Sequence, residues 1–286
     1  MADAPLLTVD DLHVSFETPK GIVNAVRGVS FELGREKLGI VGESGSGKSQ
    51  TGRAILGLLA ARGHARARRV EFDGVDLLRA DERTMRAIRG DRISMIMQDP
   101  KYSLNPVITV GKQIEEAYLV HTKASRKEAR ERTLKMLEAV RIRNPRHVYH
   151  AYPHEVSGGM GQRIMIAMMM IPQPDIIIAD EPTSALDVTV QLQVLSILDD
   201  MVTQHGMGLI FISHDLSLVA SFCDRVLIMY AGQVMEVCDA RDLAHARHPY
   251  TRGLLSCLPE VGDSARELPV LERDPACAEY QESSGD

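Results

Sequence analysis

KLGIVGESGSGKSQTGRAILGLL, residues 37–59, joins three local signals in one order. KLGIVG is an apolar run of strand length, and QTGRAILGLL spaces its apolar positions as a helix does. Between them Gly42, Glu43, Ser44, Gly45, Ser46, Gly47, Lys48 and Ser49 satisfy the pattern G-x-x-x-x-G-K-[ST] in full. Glycines let the backbone turn tightly enough for successive N–H groups to point inward at phosphate oxygens, and the following helix N-terminus adds positive potential. Lys48 brings a full positive charge, and the Ser49 hydroxyl is placed to bind Mg²⁺. A strand before and a helix after are the context this motif requires, so the stretch predicts a loop that holds nucleotide phosphates.

On the N-terminal side, LLTVDDLHVSF and AVRGVSFEL alternate apolar and polar residues and predict strands joined by a turn at Pro19, Lys20 and Gly21. On the other side, VEFDGVDLL at 70–78 predicts two short strands around Asp73-Gly74, and ISMIMQ at 93–98 another buried strand. ARGHARARR at 61–69 reads as a solvated loop rather than a phosphate-backbone patch, because the chain as a whole is acidic. From about 107 to 171 the pattern turns helical, in VGKQIEEAYLV and in SRKEARERTLKMLEAV with Leu134, Leu137 and Val140 on its apolar side. Met165, Met168 and Met169 share one helical face and are expected in a core. DIIIAD, GLIFIS and RVLIMY then return as strand-like runs, with the helical VTVQLQVLSILDDMV among them. This alternation predicts an α/β fold: a mainly parallel sheet covered by helices, an N-terminal antiparallel β region and a helical insertion. After about Ala240 prolines and charges replace long apolar runs, and the last dozen residues are expected to be disordered.

The bulk numbers exclude some functions. The chain has 286 residues, 44% of them hydrophobic, which is ample for a core. A net charge of −6 argues against a general nucleic-acid binder, which needs a basic surplus. MADAPLLTVDDL does not read as a secretory signal, so a cytosolic protein is expected. IMIAMMMI and IIIA fall far short of the roughly 20 apolar residues that cross a bilayer, so any membrane association is expected to run through a partner. The four cysteines, Cys223, Cys238, Cys257 and Cys277, are too widely spaced for a close metal-ligand pair and are expected to be reduced thiols.

Polar residues at the ends of apolar strands carry the remaining chemistry. IIIADE at 176–181 supplies Asp180, suited to hold magnesium through water, and Glu181, suited to sit beside an attacking water. A carboxylate is a weak base at neutral pH, so Glu181 is expected to orient and polarise water as much as to take its proton. Gln98 follows ISMIM, His214 follows LIFIS, and Asp187 lies in SALD. Carboxyl ends of strands in a parallel sheet converge on the ligand crevice, so Gln98, Asp180 and His214 are expected near the phosphates that Lys48 holds. There His214 would bond the γ-phosphate, and Gln98 would reach the magnesium or the attacking water. A second small anion cradle, VSGGMGQR at 156–163, is then surplus: one nucleotide needs one loop.

Six elements in this order and spacing resemble the ATP-binding cassette (ABC) ATPases: the loop at 42–49, Gln98, VSGGM at 156–160, IIIADE, SALD at 184–187 and His214. The resemblance implies a P-loop NTPase core over residues 1–240, with the helical subdomain at about 107–171, and a C-terminal extension over 241–286. It also assigns Gln50 and Phe16 to the nucleotide, Phe16 as the aromatic that stacks on adenine, beside the loop residues and Asp187. Ser157, Gly158 and Gly159 would hold the γ-phosphate of ATP on a partner's loop, which explains the surplus cradle. More narrowly, QDPKYSLNP at 98–106, EVSGGMGQR at 155–163 and HPYTRGLL at 248–255 resemble the ATPase subunits of bacterial dipeptide, oligopeptide and nickel importers.

That resemblance implies ATP and Mg²⁺ as ligands and a second cassette as partner, the same chain or another. It further implies two transmembrane permease subunits, a solute-binding protein outside, and a peripheral place on the cytoplasmic face of the inner membrane. Met160 stands where many relatives have glutamine, and Gly161 where a basic residue is common. Some peptide-importer ATPases carry a tail cysteine cluster that binds an iron–sulfur centre; with only Cys257 and Cys277 in the tail, none is expected here. The rival classes are DNA-repair and translation-type cassette ATPases. The first usually has a long insertion within the cassette and the second two cassettes in one chain; neither pattern is present. The transported solute is not written in the sequence, since selectivity belongs to the permease and the external binding protein.

Overall fold

The computed structural model of the chain describes residues 4–256 except residue 185. Cys257, Cys277 and the expectations about the last dozen residues and an iron–sulfur centre lie outside the described residues. Along the chain come β1 (Leu7–Thr18), β2 (Gly21–Leu33), β3 (Lys37–Gly42), α1 (Lys48–Ile55), β4 (Gly63–Arg66), β5 (Arg69–Phe72) and β6 (Val75–Asp76). Next are α2 (Glu82–Ile88), β7 (Ile93–Ile96), α3 (Pro100–Ser103), α4 (Val110–Leu119), α5 (Arg126–Ala139), α6 (Pro145–His150), α7 (Gly158–Met170), β8 (Ile176–Asp180) and α8 (Val188–His205). The chain continues with β9 (Gly208–Ser213), α9 (Leu216–Phe222), β10 (Arg225–Tyr230), β11 (Gln233–Asp239) and α10 (Pro249–Ser256). Two compact units result: Met1–Ala80 with Ile210–Asp286, and Asp81–Leu209.

In the first unit β1 is the hub of an antiparallel sheet, paired with β2 along its length and with β4 and β5 on its other edge. Val9 and Leu12 are both buried although an odd spacing would put them on opposite faces. A bulge between them, with Asp11 at φ 54, inserts the extra residue that restores the inward face. β6 closes the hairpin after Asp73 (φ 50) and Gly74 (φ 76), the left-handed pair that a two-residue turn needs. The stretch at 61–69 is not a loop. Gly63–Arg66 forms β4, an edge strand that pairs with β1 from His13↔Arg66 to Phe16↔Gly63. Its pairing uses backbone groups, which a polar sequence supplies as well as an apolar one, so alternation gave no signal there.

The same unit holds β3 between β10 and β9. β10 runs parallel to β3 from Arg225↔Leu38 to Met229↔Gly42, and β11 folds back antiparallel on β10 through Ala231 and Gly232. Leu38, Ile40 and Val41 are buried, as a strand covered on both faces requires. Helix α9 lies against β3 closely enough that a Cβ on Gly39 would stand 2.1 Å from Val219 Cγ1.

The second unit pairs β7 and β8 in parallel, Ile93↔Ile176 to Ile96↔Ala179, and an Arg92–Asp175 ion pair joins the residues that precede the two strands. Helices α3 to α7 lie between Pro100 and Met170 in the chain. Within them Gly111 leaves room for the Tyr149 ring, whose Cδ2 is 2.2 Å from where a Cβ would stand. Leu137 and Val140 are fully buried, whereas Leu134 is half-buried. The methionine reading needs a correction: in α7 Met165 and Met170 are fully buried, while Met168 and Met169 are half-exposed. The buried stripe of α7 is wider than the i, i+3, i+4 triplet, since Ile164, Ile166 and Ala167 lie in it as well.

Candidate functional site

The phosphate loop of the first unit is shaped by what surrounds it. Gly42 sits where a Cβ would be 2.1 Å from the Met229 carbonyl oxygen, and Gly47, at φ 96, where one would be 2.3 Å from that of Ala25. Both positions are closed to any side chain, and φ 96 is also strained for any residue other than glycine. Gly47 caps α1 without a side chain, so the first N–H groups of the helix are not taken by a cap. Lys48 is 5% exposed, and its Nζ donates to the carbonyls of Gly42 and Glu43 at 2.8 Å each. The cation is thus fixed at the centre of the loop. Ser44 and Gly45 are exposed, Ser46 is buried, and Ser49 and Gln50 are half-buried. The Gln50 Oε1 is shut off from solvent with no hydrogen-bond partner.

Two further expected residues lie in this unit. His214 is exposed just beyond the carboxyl end of β9, the strand that neighbours β3. Phe16 is half-buried in β1, facing Val23 across β2, and its Cε1 lies 2.7 Å from where a Gly63 Cβ would be. Val23, opposite Phe16, is 53% exposed, so the pair stands at the surface of the sheet.

The second unit holds the acidic and signature residues. Asp180, 3% exposed, ends β8, and Glu181 follows at φ 47, a left-handed conformation unusual for a glutamate. Gln98 Nε2 donates to Glu181 Oε2 at 2.9 Å and lies 3.3 Å from Ser184 Oγ, which in turn donates to the Glu181 carbonyl at 3.2 Å. Gln98 and Glu181 thus come together, and Ser184 joins them unforeseen, because only folding brings residue 184 to residue 98.

The signature residues sit at a helix start. Ser157 caps α7, its Oγ accepting from Met160 N at 3.4 Å, and Asp187 caps α8 by accepting from Val190 N at 3.0 Å. A Cβ on Gly159 would stand 2.7 Å from Val190 Cγ1, so the two caps are packed together. Arg163 Nε donates to the Gly159 carbonyl at 3.1 Å; burial first, then Arg143 and Arg141, lowers its pKa from the usual arginine value. Ser157 and Gly158 are exposed, and nothing lies within 4 Å of a Cβ on Gly158. The N-terminus of α7 is therefore exposed, with its first backbone N–H groups at the surface of the second unit.

Residues 26–184 match the family model for the ABC transporter. The chain belongs to the ABC transporter family. This ABC ATPase is 46% identical over 272 residues to the oligopeptide transport ATP-binding protein OppD of Salmonella typhimurium, covering 94% of this chain and 81% of that protein. It is 48% identical over 273 residues to the dipeptide transport ATP-binding protein DppD of Bacillus subtilis, covering 94% and 82%. Among solved structures it is similar to the dimeric bacterial ABC transporter cassette MJ0796, with a TM-score of 0.73 and 26% identity over 82% of this chain and 99% of that one. As an ABC transporter ATPase it binds and hydrolyses ATP, and the DNA-repair and translation-type alternatives are not favoured. Of the residues expected to take magnesium, the Ser49 hydroxyl belongs to the first unit and the Gln98 amide oxygen and Asp180 carboxylate to the second; each is a hard oxygen donor of the kind that cation takes. Among the described residues no helix is long and apolar enough to cross a membrane, and Cys223 and Cys238 are free thiols.

Proposed function

We propose that this ATPase energises the import of di- or oligopeptides, or of a related small solute such as nickel, through a membrane permease on whose cytoplasmic face it docks. Its partners in this reading are a second cassette, of the same or another chain, two permease subunits and, indirectly, a solute-binding protein on the outer side. The high identity to OppD and DppD over most of each chain supports the peptide branch.

The observation that carries the mechanism is the open N-terminus of α7. Ser157, Gly158 and Gly159 offer backbone N–H groups to an anion, yet the chain already has a complete phosphate loop at Lys48. Each copy thus has a loop and a signature cradle, and two cassettes that exchange cradles enclose two ATP molecules. ATP favours the closed pair because its phosphates are contacted from both sides, and hydrolysis removes that differential affinity. The N–H groups of Glu43 to Gln50 and the Lys48 cation bind the phosphates, Phe16 supports the adenine, and Asp187 belongs to the cradle side. Magnesium, when bound, neutralises charge on the phosphate oxygens, and Ser49, Gln98 and Asp180 would hold it. Glu181 polarises the attacking water, held in aim by Gln98, and His214 bonds the γ-phosphate.

Ser157→Arg tests this. The mutant chain is expected to bind ATP with an affinity within about twofold of the parent while its turnover falls at least about a hundredfold, because the cation and bulk block the cradle but not the loop. Loss of ATP binding in the isolated mutant chain would mean that the cradle serves its own chain.

A further inference from the structure

HPYTRGLL, residues 248–255, has no part in the mechanism above, yet the first unit anchors it firmly. The Glu236 carboxylate of β11 accepts from Arg247 N at 2.7 Å and from His248 N at 3.2 Å, gripping the turn that leads into α10. Tyr250 N donates to His248 Nδ1 at 3.2 Å, and Thr251 is fully buried. These bonds set the Tyr250 ring 4.6 Å from that of Tyr230, the last residue of β10. The residue before it, Met229, pairs with Gly42, and its carbonyl fills the space where a Gly42 side chain would be. Tyr250 therefore leans on the strand end that underlies the start of the phosphate loop.

The Tyr250 hydroxyl is shut off from solvent, and the polar groups that face it are the backbone N–H and the carboxylate of Glu43. A phenol so placed is costly to leave unpaired. The groups that bear on it are burial first, then the Glu43 carboxylate and Tyr230, which together push its pKa well above the ordinary phenol value. Glu43 is the second residue of the loop, and its carbonyl is one of the two that hold Lys48 Nζ. One aromatic side chain thus joins the C-terminal helix to the residue that positions the central cation.

We propose that Tyr250 is a positioning residue for the phosphate loop: its hydroxyl steadies Glu43, and through the Glu43 carbonyl and Lys48 the C-terminal extension sets the affinity for ATP. The inference rests on the Lys48 loop being the nucleotide site. By linkage, whatever holds or displaces α10 then changes ATP affinity, and ATP in turn changes the hold on α10.

The test is equilibrium binding of a fluorescent ATP analogue with Mg²⁺ to the full-length chain, with steady-state ATPase alongside. Tyr250→Phe keeps the ring against Tyr230 and removes the hydroxyl; it is expected to weaken binding about threefold to tenfold, the scale of one hydrogen bond. The kcat at saturating ATP is expected to stay within about twofold and the thermal midpoint without nucleotide to be unchanged. In a Glu43→Ala background Tyr250→Phe is expected to have no further effect, since the two act as one unit. Unchanged affinity in Tyr250→Phe, or a full additive loss in the Glu43→Ala background, overturns the inference. Lys48→Ala separates the two levels: if it leaves binding intact, the loop itself is misassigned, whereas if it abolishes binding and Tyr250→Phe does nothing, only the role of Tyr250 fails.

Discussion

Glu181 is held in two ways that no sequence pattern reports. Its backbone is at φ 47, and its carboxylate accepts from the Gln98 amide at 2.9 Å. Strained backbone persists where surrounding bonds over-determine it, and such positions cluster at reactive sites. Glu181→Gln keeps an acceptor for Gln98 and loses only the charge. Turnover is expected to fall about 10²- to 10⁴-fold, the usual range for removing a general base, with ATP affinity within about threefold; near-parent turnover in a steady-state phosphate-release assay would remove Glu181 from the reaction. At this scale the sequence was most legible. Lys48 stands out because it completes the glycine pattern, and Asp180, Glu181 and His214 because a charge or a polar tip after an apolar run is not called for by packing. Ser184 and Tyr250 were not legible as neighbours of Gln98 and Glu43, because those contacts link residues distant along the chain.

Among the elements, β3 and α9 show how a single glycine sets a distance. With Val219 Cγ1 2.1 Å from the position of a Gly39 Cβ and Cys223 Sγ at 3.1 Å, α9 cannot keep its place over β3 if a methyl is added. Gly39→Ala is expected to destabilise the chain by about 1–3 kcal/mol, the cost of overpacking a filled interior, read as a lower urea midpoint; an unchanged midpoint would mean that α9 shifts freely. The same packing shuts Cys223 away, and burial pushes its thiol up to about 12. Strands with continuous apolar runs, KLGIVG, IIIAD and GLIFIS, were legible because burial on both faces leaves no other pattern. β4 and β11 were missed for the opposite reason: GHAR and QVMEVCD are only partly buried and join their sheets through backbone bonds.

For the molecule as a whole, the proposed pairing of a loop at Lys48 with a cradle at Ser157 would make each chain half of two sites. A partner cassette and a permease follow from that reading, and co-purification from detergent-solubilised membranes checks it. The tagged chain is expected to bring down integral membrane subunits; recovery with ribosomes or DNA in a nuclease-sensitive form would refute the importer. Six motifs in order were enough to determine the family and its ATPase chemistry. Those features depend on local chemistry: a glycine turn, a helix N-terminus, a charge at a strand end, each written in a few adjacent letters. Only the tertiary structure decided that Gln98 bonds to Glu181, that the Met229 and Ala25 carbonyls require Gly42 and Gly47, and that Tyr250 packs against Tyr230 at the end of β10. These are contacts between residues distant in sequence, fixed by the packing of whole elements, and periodicity along the chain carries no record of them.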